Sequence, residues 1–65
     1  MKTKVFITKR GVVLYEDENG VLTSSNMEAV KSALMDDINN DDLPFGIALQ
    51  AMEWVKTIIK QEANQ

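Results

Sequence analysis

The side chains best equipped for chemistry in this sequence are its carboxylates, and they come in two groups. Glu16, Asp17 and Glu18 are consecutive, and Asp36, Asp37, Asp41 and Asp42 follow further on. Carboxylates at such spacing suit a cation, a shared proton or a basic partner. The run Asp37-x-Asn39-x-Asp41 begins like a calcium loop. Its sixth position is Asp42 where the sharp turn needs Gly, its twelfth is Ala48 rather than a bidentate Glu, and Pro44 interrupts it. Paired carboxylates also serve glycoside hydrolysis, but these fall in expected turns of a chain too short to build a deep cleft.

Other catalytic chemistry lacks its parts. The chain has 0 His and 0 Cys, which removes the commonest general base, the thiol nucleophile, disulfides and zinc sites built on those ligands. Ser24, Ser25 and Ser32 are accounted for by helix capping and helix surface. Gly11, Gly20 and Gly46 stand alone, so there is no phosphate-cradling loop. The expectation is a protein that binds and does not catalyse, with no cofactor and no metal.

Basic residues are segregated from these acids. Lys2, Lys4, Lys9 and Arg10 occupy the first ten residues without an acid among them. A strand's period of two would put Lys2, Lys4, Phe6, Thr8 and Arg10 on one face and Val5 and Ile7 on the other. A basic face with an exposed aromatic is one way a sheet holds single-stranded nucleic acid. The plainer reading is an edge strand whose lysines discourage unwanted pairing. Seven basic residues against ten acidic ones give a net charge of -3, which argues against general affinity for nucleic acid or anionic membrane. Nucleic-acid binding through Lys2, Lys4, Phe6, Lys9 and Arg10 is therefore the alternative.

The elements that position these groups read in order. Val5-Phe6-Ile7, Val12-Val13-Leu14-Tyr15 and Val21-Leu22-Thr23 have strand character, and Asp17-Glu18-Asn19-Gly20 is a tight-turn signal. These predict a three-stranded antiparallel meander over 1–24. Ser25 and Glu28 have the spacing of a capping box, and Met27, Val30, Leu34 and Ile38 recur on one helical face, predicting a helix over 25–39. Asn39 to Asp42 should end it. Pro44 suits the first turn of a second helix over 43–62, with Asp41 or Asp42 as its cap. The expected fold is α+β, with two helices packed on one face of the sheet (βββαα) in a single domain, 1–65.

The second helix is apolar over a broad arc. With Val55 at zero and ~100° per residue, Ala48, Ala51, Met52, Ile58 and Ile59 lie within roughly 60°, and Phe45, Ile47 and Trp54 at roughly 80–100°. Gln50, Glu53, Thr57, Lys60 and Gln61 form the expected wet side. The arc approaches ~180°, wider than the ~100° that a surface helix needs. A central helix covered on both flanks explains it. A partner resting on Phe45, Leu49, Met52, Trp54, Val55 and Ile59 explains it equally. At 65 residues the core is thin and no staple is available, so oligomerisation is the remaining common support and a homodimer is expected.

No apolar run is long enough to span a bilayer. The stretch Val5-Phe6-Ile7 is also too short for a secretory signal, so a cytoplasmic location is expected. Size, acidic balance and missing catalytic groups are those of small inhibitors, antitoxins and phage-encoded proteins that disable a host factor. The expected function is stoichiometric binding of a protein target through Glu16, Asp17, Glu18, Asp36, Asp37, Asp41 and Asp42 together with the apolar helix face. A structural subunit of a larger assembly is a third reading.

Overall fold

The computed structural model describes residues 1–64. Strands β1 (Thr3–Ile7), β2 (Val13–Glu16) and β3 (Leu22–Thr23) form one antiparallel sheet in the order β1-β2-β3, and helices α1 (Met27–Asn39) and α2 (Phe45–Ala63) follow. This is the α+β, βββαα order expected from the sequence. One cluster forms the core: Leu14 and Leu22 from the sheet, Val30 and Leu34 from α1, and Ala51, Trp54 and Ile58 from α2. Met27 and Ile38 pack against it, so the apolar face foreseen for α1 is the one buried.

Both turns of the sheet are made by local chemistry. At the first, the Thr8 carbonyl accepts the Gly11 N–H and the Thr8 hydroxyl accepts the Val12 N–H at 3.1 Å. At the second, Asp17 Oδ1 accepts the N–H groups of Asn19 (2.8 Å) and Val21 (2.9 Å). Gly20 there takes φ +79, the left-handed conformation that glycine adopts without steric cost. These bonds favour the ionised carboxyl. Chiefly through the Val21 N–H, they hold the pKa of Asp17 below its ordinary value.

The strict alternation expected of β1 does not hold. Lys4 pairs with Tyr15 but Phe6 pairs with Leu14, so Val5 is an extra residue that shifts the register. Beyond this bulge Phe6 shares a face with buried Leu14 and turns inward, while Ile7 turns outward and is exposed. The ring of Phe6 lies 6.2 Å from that of Trp54, inclined at 49°. An aromatic pair in such a tilted geometry adds to its area burial, which gives the bulge a physical cause.

The helix ends also differ in detail. The N-cap of α1 is Asn26, whose side-chain oxygen accepts the Ala29 N–H at 3.1 Å, in place of the Ser25–Glu28 capping box. Ser24 Oγ accepts the Asn26 N–H, and Glu28, read as the far member of the box, pairs with Lys31 at 3.2 Å instead. At its C-terminus the Asp42 N–H bonds Asp37 O and the Asp41 N–H bonds Ile38 O, with Asp41 at φ 54. That is a Schellman motif with Asp where Gly is usual. Asp41 and Asp42 are thus committed to ending α1 and do not cap α2. Pro44 stands at that cap and makes no side-chain capping bond.

Candidate binding surface

The core side of α2 runs along Ala51, Trp54, Ile58 and Gln61, spaced three, four and three residues apart. It lies roughly 80° round the helix from Val55, the centre expected from the sequence. Two expectations fall with that rotation. Trp54 is only 7% exposed and belongs to the core, not to a partner surface. Gln61 is not on a wet side. Its Oε1 accepts the Leu22 N–H at 2.8 Å and its Nε2 donates to the Leu22 carbonyl at 2.9 Å. The side chain thereby occupies the free edge of β3, where a further strand would otherwise pair.

A second stripe on α2 is exposed. Phe45, Leu49, Met52, Lys56 and Ile59 follow one another at intervals of four, three, four and three residues, the spacing of a helix-pairing seam. Phe45 is 80% exposed, and Leu49, Met52 and Ile59 are 49%, 41% and 51% exposed. This stripe is centred roughly 160° from the core stripe. Val55 lies between them, half-buried against the core. Lys56 keeps its ammonium on Glu53 at 3.5 Å, which leaves its methylene stem along the stripe.

Helix α1 supplies the other wall of a groove beside this stripe. Met35 and Ile38 face Met52 and Val55 across a cavity of about 220 Å³. Met35 is itself exposed. Neither Met35 nor Ile38 was singled out as a surface residue from the sequence, because only packing shows that α1 meets α2 along this flank.

The acidic residues do not form one surface. Asp36 and Asp37 face Lys9 and Arg10 across a groove of about 330 Å³ floored by Val12, Ala29 and Ala33. That places them at the β1–β2 turn. Glu16, Asp17 and Glu18 lie at the other end of β2, in the β2–β3 turn. There Asp17 holds its own turn, Glu18 pairs with the Met1 amino group at 3.1 Å, and Glu16 is half-buried. Structural roles account for this group. Asp36, Asp37, Asp41 and Asp42 are different, since none of them makes an ion pair among the described residues. Asp36 and Asp37 also sit in the last turn of α1, where the helix dipole disfavours negative charge.

The basic face expected on β1 is not assembled. Lys2 and Lys4 are exposed, but Phe6 is turned into the core and Thr8 is buried. Lys9 and Arg10 lie in the turn after the strand. Among the described residues no three side chains of His, Cys, Asp or Glu are grouped to hold a metal, and no helix is long and apolar enough to cross a membrane. Compared with protein-family models, with curated proteins and with solved structures, the chain matches none.

Proposed function

We propose that this chain is a non-catalytic binding protein that acts stoichiometrically on a protein partner, as a small inhibitor does. Its binding surface is the α2 stripe of Phe45, Leu49, Met52 and Ile59 with Asp41 and Asp42 in the loop before it, and Asp36 and Asp37 add a separate acidic contact at the β1–β2 turn. The observation that carries the reading is the exposed apolar stripe that starts at Phe45, 80% exposed, three residues after Asp42, with Asp41 and Asp42 exposed and in no ion pair among the described residues.

Stability alone favours neither feature. Exposed aromatic area gains nothing for the monomer, and acids at the C-terminus of α1 oppose its dipole. An apolar anchor beside a charged rim is the anatomy of a protein interface. A cytoplasmic setting belongs to the same reading, since Val5-Phe6-Ile7 is too short for the apolar core of a secretory signal. Nucleic-acid binding is less well supported because Phe6 is not on the basic face.

A photo-activated cross-linking residue in place of Leu49, compared with one in place of Lys2, tests the proposal in the native cell. Protein adducts should form from position 49 and weaken when the four aspartates are reversed to Lys. Equal adduct formation from both positions would remove the proposal. Adducts unaffected by charge reversal would remove the acidic loop from it.

A further inference from the structure

The two ends of the stripe on α2 are equidistant from its midpoint. Phe45 and Ile59 each lie seven residues from Met52, and Leu49 and Lys56 fall between. At ~1.5 Å per residue the two ends are about 21 Å apart. We infer that the first occupant of this surface is a second copy of the same chain, packed with α2 antiparallel to α2 about a two-fold axis through Met52. This rests on the proposal above that the stripe is a binding surface, and adds which partner it takes.

Three observations carry it. The spacing of four, three, four and three is that of helices that pair along a seam, and an antiparallel two-fold sets Phe45 of one copy against Ile59 of the other. The charges choose the direction. Asp41 and Asp42 precede the N-terminal end of α2, and Lys60, which has no ion-pair partner among the described residues, lies near its C-terminal end. Antiparallel pairing brings Lys60 of one copy towards Asp42 of the other, whereas parallel pairing brings each aspartate towards its own twin. Finally, the groove of about 220 Å³ between α1 and α2 opens beside Met52, at the axis. An apolar cavity of roughly 150 Å³ admits a benzene ring, so this one has room for an unbranched thioether from the second copy. Asp36 and Asp37, on α1, stay outside the α2–α2 seam and free for a further partner.

With 0 Cys in the chain, any introduced cysteine is the sole thiol, and the stripe positions lie outside the core. The full-length Met52→Cys chain, mildly oxidised, should form a covalent dimer. A mixture of Phe45→Cys and Ile59→Cys should give the mixed dimer, while Phe45→Cys alone should not couple. Sedimentation of the unaltered chain at about 100 µM, well above a micromolar dissociation constant, should give twice the 7.3 kDa monomer mass. Met52→Asp should abolish the dimer and leave the helical circular dichroism intact. A monomer under those conditions, or self-coupling of Phe45→Cys in preference to Met52→Cys, overturns the inference. If the monomer still gave cross-links to a different protein from position 49, self-association alone would fall and the binding surface would stand.

Discussion

Removing the side chain of Gln61 tests how the sheet edge is closed. Gln61→Ala deletes two hydrogen bonds, of 2.8 and 2.9 Å, to the backbone of Leu22, whose own side chain is buried. Each bond contributes ~1 kcal/mol net, and Ala regains a few tenths as the better helix former, so the expected loss is about 1.5 kcal/mol. For a domain of this size that lowers Tm by roughly 6–12 °C. Gln61→Glu separates the two halves of the clamp. A carboxylate still accepts the Leu22 N–H but sets negative charge against the Leu22 carbonyl, so it should recover little of the loss. Chemical denaturation gives the free energy, and amide exchange at Leu22 reports the edge itself. If Gln61→Ala cost less than ~0.3 kcal/mol, within the ordinary scatter for surface substitutions, with Leu22 exchange unchanged, the clamp would have no part in holding β3.

The bulge at Val5 predicts that Phe6→Ala costs about 2–4 kcal/mol, a little under the ~3–5 of a fully buried aromatic because Phe6 is half-buried, while Ile7→Ala costs under ~1. The reverse ranking in urea unfolding would restore simple alternation. The folded pKa of Asp17 is lowered, so its stabilisation is fully present above the ordinary value of 3.8 and is lost as pH falls through the folded value. Asp17→Asn keeps an acceptor for the turn but cannot titrate. The wild-type advantage over it in Tm at pH 7 should therefore shrink on acidification to pH 3, and a constant difference would contradict the assignment. Asp41 stands at φ 54 in the Schellman motif, and Asp41→Gly should raise stability by up to ~1 kcal/mol without changing the denaturant slope. A loss of stability would mean that the aspartate side chain supports the turn.

What the sequence made legible was chemistry acting within a few residues. Asp17 to Gly20 announced a turn because Asp accepts backbone N–H groups nearby and Gly takes positive φ at no steric cost. Asn39 to Asp42 announced the end of α1 in the same way, and Met27, Val30, Leu34 and Ile38 announced its buried face. The misplacements came from packing at a distance. Phe6 was assigned outward because the bulge that turns it in is favoured by Trp54, nearly fifty residues away in the chain. The helical wheel of α2 centred on Val55 because two apolar stripes on nearly opposite faces average to a direction between them. That average hid both the burial of Trp54 and the pairing role of Gln61. For the binding surface, Phe45, Leu49, Met52 and Ile59 were legible as surplus apolar area. The groove walls Met35 and Ile38 were not, since their meeting with α2 is a property of the fold.

The claim on which this account turns is that the exposed stripe of α2 is covered by a second copy of the same chain. Sedimentation equilibrium of the unaltered chain beside Met52→Asp, over a range of concentrations, tests it most directly. The account predicts a reversible rise from 7.3 kDa towards twice that mass for the unaltered chain and a constant monomer mass for the variant. Identical monomer masses for both at every concentration would contradict it.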